Sequence, residues 1–159
     1  MEHQEAKHVW ESRTEQIQIL MPEQINGYGR LFGGKLMEWI DVVAAVVARR
    51  HSGRNVTTVF VDHLQFKAAA YVNSTIVLIG QITYVGNTSM EVRVETYVEE
   101  LDGKKTLINR AYLVMVALDD EEHPVRVPRL IVSTEEERAQ WEAGKKRSEL
   151  RKMRREEQY

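Results

Sequence analysis

Cysteine is absent from all 159 residues. Disulfide scaffolds, thiolate nucleophiles, Cys-ligated zinc and iron–sulfur clusters are thereby excluded, and a reducing compartment is expected. Long apolar runs are missing too. The longest, Val42 to Ala48, has seven residues, far short of the ~20 that cross a bilayer as a helix. The first residues, MEHQEAKHVWESRTEQ, are too polar for a secretory signal. A soluble, cytoplasmic protein without a membrane partner is expected. A dominant charge is also lacking: 22 Lys and Arg stand against 24 Asp and Glu, a net of −2. No overall field gathers nucleic acid, so any anion site must be local. Several catalytic patterns are missing as well. None of the six serines sits in a G-x-S-x-G elbow, the five histidines show no i, i+4 pair, and neither a Walker A nor a Rossmann glycine pattern occurs.

What is present suits one domain with a sizeable core, since 43% of the residues are hydrophobic. The chain divides into an N-terminal arm (1–12), a domain (13–132) and a charged C-terminal segment (133–159). The arm has no apolar period and is expected to be mobile or weakly helical. The alternation Gln16, Ile17, Gln18, Ile19 predicts a half-buried strand over Thr14 to Leu20. Met21 to Gly34, with four glycines, one proline and one asparagine, reads as a long loop.

Lys35 to Arg50 has no glycine or proline and is bracketed by Gly33-Gly34 and Ser52-Gly53, which predicts a helix. The pairs Val42-Val43 and Val46-Val47 weaken its intrinsic propensity. Leu36, Trp39, Ile40, Val43 and Val47, with Met37, Val42 and Val46, surround almost its whole circumference. It should therefore be central, wrapped by other structure.

Four strand-like runs follow: Asn55 to Lys67, Thr75 to Val85, Met90 to Glu99 and Lys105 to Leu118. In the third, Met90, Val92, Val94, Thr96 and Val98 alternate with Glu91, Arg93, Glu95, Tyr97 and Glu99, which predicts one buried and one solvated face. Asp102-Gly103 marks a hairpin turn. The pattern predicts an α+β domain whose curved antiparallel sheet wraps one long helix. Beyond Pro128 a charged helix begins at a capping box, Thr134 to Glu137, or at Ser133. Residues 135–142 hold four Glu and one Arg, and residues 145–155 hold seven Lys or Arg and one Glu, an order that suits the helix macrodipole. It reads as a solvated helix, with a contact to RNA or to CoA phosphates as the alternative.

Three features bear on chemistry. Asp41 is a carboxylate in the middle of the most apolar helix, where an unpaired charge is costly. It either caps or pairs structurally, or acts as a general base in a partly dry cleft. Glu38 and Lys35 precede it on the same helix. The second feature is the loop Asn26-Gly27-Tyr28-Gly29-Arg30-Leu31-Phe32-Gly33-Gly34. Its glycines are either ordinary turn residues or open backbone N–H groups at a helix start to developing negative charge. The third, Gly86-Asn87-Thr88-Ser89, is a hairpin turn or a phosphate contact.

The run N-G-Y-G-R-L-F-G-G-K-L-M-E-W-I-D, Asn26 to Asp41, resembles that of hot dog fold acyl-CoA thioesterases of the bacterial and brain acyl-CoA hydrolase type. T-V-F-V-D-H-L-Q-F-K from Thr58, V-G-N-T-S-M-E-V from Val85, V-A-L-D from Val116 and H-P-V-R-V-P-R-L from His123 resemble later blocks of that family in the same order. The likeness covers about residues 13–131. It implies hydrolysis of acyl-CoA to a carboxylic acid and CoA, without metal or redox cofactor. It implies Asn26 and Asp41 as the catalytic pair, the aspartate activating water or attacking the thioester and the asparagine placing the water or carbonyl. Phe32, Gly33 and Gly34 would bind the substrate oxyanion, and Gly86, Asn87, Thr88 and Ser89 with nearby basic groups would hold the CoA portion. Where relatives have a proline and then a Gly-Asp pair, this chain has Ala68-Ala69-Ala70-Tyr71-Val72-Asn73-Ser74.

Seven residues separate Gly34 from Asp41, about 10 Å along a helix at ~1.5 Å per residue. One reacting carbonyl cannot meet both, so a bridging water or two chains are needed. A homo-oligomer is expected, a dimer or trimer of dimers. The competing readings are a non-catalytic acyl-CoA sensor and an interaction protein using its basic helix.

Overall fold

The computed structural model describes residues 6–158. In chain order it contains β1 (Lys7–His8), β2 (Thr14–Ile19), α1 (Gly33–Ser52), β3 (Asn55–Phe66), β4 (Thr75–Val85), β5 (Ser89–Glu99), β6 (Lys105–Leu118), β7 (Leu130–Ile131) and α2 (Glu135–Glu156). Single 3-10 turns occur at Val9–Glu11 and Pro22–Gln24. Strands β2 to β6 form one antiparallel sheet in the order β2-β4-β5-β6-β3, and β1 pairs with β7 in parallel. No described helix is long and apolar enough to cross a membrane.

Helix α1 forms despite its paired valines because the inner face of the sheet takes up its apolar side. Leu36, Ile40, Val43, Ala44, Val47 and Ala48 are buried in one core with Ile76, Leu78, Val92, Val94 and Leu113 of the strands. The fit is close at Gly80, where an added Cβ would stand 2.6 Å from Val43 and 2.9 Å from Val47. Gly53, at φ 68°, ends the helix in the left-handed conformation that glycine adopts freely. One chain covers only one side of α1. Glu38 and Val42 are exposed, and Met37, Asp41, Ala45 and Val46 are half-buried, so the expected wrapping is incomplete in a single copy.

Three further expectations are corrected. The residues of the arm that fall within the described range are tied to the domain: Lys7 and His8 pair with Leu130 and Ile131, Val9 is buried, and Val9–Glu11 forms the one helical turn that the weakly helical alternative allowed. Residues 1–5 of that arm lie outside the described range. In β2 the alternation is present with the opposite sense. Thr14 and Leu20 are buried on the face shared by Gln16 and Gln18, which leaves Ile17 60% and Ile19 56% exposed on the outer face.

The third correction concerns β5, whose charged face is not solvated. Glu91, Arg93 and Glu95 are all buried. Arg93 and Arg110 pair with Glu95 at 3.3 and 2.7 Å, and α2 lies over Glu91. The predicted solvated helix is thus a cover for the sheet. Thr134 caps it by accepting from the Glu137 N–H. Trp141 packs on Tyr84 with ring centroids 4.5 Å apart, and Arg147 lies 3.8 Å over the Tyr112 ring. Gly144 allows the approach, since a Cβ there would come within 2.7 Å of Tyr84 and 2.9 Å of the Glu91 carboxylate. Sequence alternation marked β5 as amphipathic, but it carries no information about a helix that arrives from more than forty residues away.

Candidate active site

Asn26 sits in a loop that folds back on its own side chain. Oδ1 accepts from the N–H groups of Tyr28 at 2.9 Å and Arg30 at 3.2 Å, and the Asn26 N–H donates to the Arg30 carbonyl at 2.7 Å. Gly29, at φ 75°, supplies the left-handed residue this tight loop requires. With Oδ1 committed to the loop, the side-chain NH2 is the group Asn26 retains for a ligand. Asn26 lines a cleft of about 340 Å³ together with Leu31, Leu36, Phe66 and Ile108. The departure from the family pattern, Ala68-Ala69-Ala70, lines the same cleft, and its small side chains leave that wall open.

The next turn of chain leads into α1. Phe32 is the N-cap and offers no side-chain acceptor. The N–H groups of Gly33 and Gly34 have no acceptor among the described residues, which leaves two donors at the positive end of a 20-residue helix. The Phe32 ring lies over Gly34, where a Cβ would meet it at 2.6 Å, and Gly33 stands 3.6 Å from Phe66 of the cleft by the same measure. Asn26, Phe32, Gly33 and Gly34 therefore form one neighbourhood.

Asp41 belongs to a different one. It is half-buried, on the side of α1 that carries Val42, and is not among the residues lining the Asn26 cleft. Its Oδ1 accepts from the Thr58 hydroxyl at 2.7 Å, and Thr58 also approaches the Met115 sulfur at 3.3 Å. No cation lies within ion-pair distance of it among the described residues; Lys35 pairs with Glu38 instead, at 3.0 Å. Thr58 is the residue that reading the sequence missed. Its only signal was its place at the head of the block beginning Thr58-Val59, which does not say which helix residue stands opposite.

The Gly86 turn joins β4 to β5 and is fixed through its backbone. The Gly86 N–H donates to the Ser89 carbonyl at 2.9 Å, and the Asn87 and Thr88 carbonyls accept from Val127 and Ala117 at 2.9 and 3.1 Å. Arg129 donates to the Gly86 carbonyl at 2.6 Å. Thr88 and Ser89 line a second cavity, beneath α2, remote from Asn26 in its lining. Among the described residues no group of three His, Asp or Glu side chains is arranged to hold a metal ion.

The Thioesterase superfamily profile matches residues 28–103. An uncharacterized acyl-CoA thioester hydrolase of Bacillus subtilis is 37% identical over 138 residues, 86% of this chain and 80% of the relative. The chain belongs to the acyl-CoA thioester hydrolase family. The human cytosolic acyl coenzyme A thioester hydrolase is 31% identical over 86% of this chain, which spans only 37% of that longer protein. Among solved structures, an apo-hexameric acyl-CoA thioesterase superposes with a TM-score of 0.90 at 38% identity, covering 94% of this chain and 97% of that one. An acyl-CoA hydrolase of Staphylococcus aureus, in complex with butyryl coenzyme A and coenzyme A, gives 0.91 at 32% identity, covering 96% and 94%. Other structures of that enzyme carry alanine in place of one aspartate, one asparagine or one threonine. Those three residues have the same sequence spacing as Asp41, Asn26 and Thr58. The fold is that of the hot dog family, with its antiparallel sheet around one long helix.

Proposed function

We propose that this protein hydrolyses acyl-CoA thioesters to a carboxylic acid and free CoA, with Asp41 as general base and Asn26 as a donor to the carbonyl oxygen. The observation that carries this reading is the state of Asp41. It is a half-buried carboxylate with one oxygen held by Thr58 and the other without a partner among the described residues. The Thr58 hydroxyl orients the carboxylate and leaves its second oxygen open to a bound water. The open oxygen takes a proton as the water oxygen bonds to the thioester carbon. The carbonyl oxygen then carries negative charge, met by the Asn26 NH2 and by the N–H groups of Gly33 and Gly34. When the tetrahedral intermediate collapses, the C–S bond breaks and the sulfur leaves with the proton that Asp41 had accepted. Water and these side chains supply every atom the reaction needs, without a metal or redox cofactor.

Asp41 and the Asn26 cleft are kept apart within one chain, which supports a site built from two copies. Strand β3 is a sheet edge that exposes Val59, Phe60, Val61 and Phe66, and Val42 is exposed beside Asp41 on α1. An apolar edge strand next to an uncovered helix face is a surface that another chain covers. The opposite edge, β2, exposes Ile17 and Ile19, a second apolar surface that suits assembly of dimers into a trimer of dimers. The protein is on this reading a homo-oligomer of dimers.

A thiol-release assay across acyl-CoAs of graded chain length tests the activity. Turnover by the wild-type protein and its loss in Asp41→Asn are expected. Tight binding of acyl-CoA with no thiol released by any member of the panel would replace the hydrolase with a sensor.

A further inference from the structure

The cleft at Asn26 carries two groups that the chemistry above does not use. Arg30 and Lys67 stand on its walls, both exposed and neither in an ion pair among the described residues, and no described carboxylate lines it. The chain is not short of acids, with 24 Asp and Glu for 22 Lys and Arg. Over the outer face of the sheet the arginines are matched, Arg110 to Glu95 at 2.7 Å and Arg147 to Glu91 at 2.8 Å. Both unmatched cations are rooted in fixed backbone. The Arg30 N–H donates to Asn26 Oδ1 at 3.2 Å and its carbonyl accepts from the Asn26 N–H at 2.7 Å, while the Lys67 N–H donates to the Ile108 carbonyl at 2.8 Å. Lys67 lies past the end of β3, outside the exposed strip assigned above to a second copy.

Leu31, Leu36 and Ile108 give the same cleft an apolar lining whose backbone is already committed. The Leu31 and Leu36 N–H groups donate to the Ala70 and Phe32 carbonyls, and the Ile108 carbonyl is the one that Lys67 meets. With the thioester carbonyl at the Asn26 NH2, the substrate arm that enters this cleft meets that lining. A pantetheine arm carries amides, to which such a lining offers neither donor nor acceptor. A short run of methylenes suits it, and the two cations then suit an anionic end. Solvation accounts for the exposure of Arg30 and Lys67, but not for two unmatched cations on one cleft that no described acid lines.

We propose that the Asn26 cleft takes the acyl group and selects one that ends in a carboxylate, with Arg30 and Lys67 as the residues that recognise that end. The proposal rests on the acyl-CoA reading above and names its substrate class, the CoA monothioesters of short dicarboxylic acids. Both cations are specificity residues on this account. They meet the far end of the acyl chain and not the reacting carbonyl.

Thiol release from adipyl-CoA, its terminal methyl ester and hexanoyl-CoA compares one acyl length with and without the charge. Wild type is expected to favour adipyl-CoA over the other two in kcat/KM, by a margin that shrinks as ionic strength rises. The double variant Arg30→Gln/Lys67→Gln is expected to lower the adipyl-to-hexanoyl ratio roughly tenfold. Lys35→Gln removes a cation from the first turn of α1, outside the cleft, and should leave that ratio as it is. A ratio unchanged in the double variant, including a uniform loss on all three substrates, would overturn the proposal, because the cations would then serve the CoA portion or the fold. Cleavage of hexanoyl-CoA by wild type with no preference for adipyl-CoA would remove the diacid class and leave the hydrolase standing. If none of the three is cleaved the hydrolase reading falls, and calorimetric titration with adipyl-CoA and hexanoyl-CoA decides the cleft by the ratio of Kd values in wild type and double variant.

Discussion

Two carboxylates in apolar surroundings, Asp41 on α1 and Glu91 on β5, are treated in opposite ways by this fold. Glu91 is 1% exposed, and both its oxygens are bonded. Arg147 donates to them at 2.8 and 3.0 Å and the Thr83 hydroxyl at 2.7 Å, with Arg151 at 3.4 Å. Burial works against the Arg147 charge, yet the bonds to Glu91 outweigh it and hold the guanidinium above its ordinary pKa. Among the described residues Asp41 has one neutral donor, Thr58, and no cation within ion-pair distance. A carboxylate enclosed by guanidinium groups is neutralised where it stands and serves to fasten α2 to the sheet. A carboxylate with one oriented oxygen and one open oxygen remains available to water. On the proposed mechanism, the difference separates the structural acid from the chemical one.

Exchanging each acid for its amide is the strongest way to break this contrast. Asp41→Asn is expected to lower kcat by ~10² to 10⁴, the usual contribution of a general base, with KM and the thermal midpoint little changed. Glu91→Gln is expected to do the reverse. It leaves buried arginines uncompensated and should destabilise the protein by about 3 kcal/mol, read by urea unfolding, with kcat per folded oligomer within a few-fold. Glu38→Gln serves as the control on α1, since its carboxylate is exposed and paired with Lys35, and only a mild effect is expected. A large kinetic defect in Glu91→Gln with a silent Asp41→Asn would invert the assignment.

A smaller effect sharpens the same point. Thr58→Val keeps the shape of the side chain and removes the hydroxyl that orients Asp41. One net hydrogen bond contributes about 0.5–1.5 kcal/mol, so kcat should fall roughly three- to tenfold, with KM less affected. An unaltered rate would mean that Asp41 is positioned by its helix alone.

The smallest expected effect lies at the far end of α1. His51 is fully buried, and its Nε2 is 2.8 Å from the Pro128 carbonyl. Burial chiefly holds its pKa below the ordinary 6.5. The folded state therefore resists a proton that the unfolded chain accepts. The associated stability is complete above pH 6.5 and is lost as the pH falls from there through the folded-state value. Thermal midpoints measured from about pH 7 down to about pH 5 should fall less steeply in His51→Gln than in wild type. Equal slopes would remove His51 from the acid sensitivity.

Much of the fold could be read from the chain because local signals and packing agree. Gly33-Gly34 and Ser52-Gly53 bracket α1, and Asp102-Gly103 makes the β5–β6 turn, with Gly103 at φ 90°. Asp41 stood out because its helix neighbours are apolar, and Asn26 because of its glycine-rich loop. What escaped notice depends on contacts between distant segments. Ile17 and Ile19 look like core residues until Leu20 fixes the opposite face as the inner one. Glu91 looks solvated until α2 arrives, and the Thr58–Asp41 hydrogen bond joins a strand to a helix across 17 residues. Charge segregation in α2 announced a helix but not the buried carboxylate its arginines reach.

The central claim is that Asn26 and Asp41 act together although one chain holds them apart, and mixing two inactive variants tests it directly. Asn26→Ala alone should lower kcat roughly 10- to 10³-fold, as loss of one oxyanion donor does. If each site takes Asn26 from one copy and Asp41 from its partner, a mixed dimer of Asn26→Ala and Asp41→Asn chains has one doubly damaged site and one intact site. After subunit exchange of equal amounts, half the dimers are mixed, and activity should recover to roughly a quarter of wild type. Mixed oligomers, verified by native mass spectrometry, that stay as inactive as the two parents would contradict the shared site.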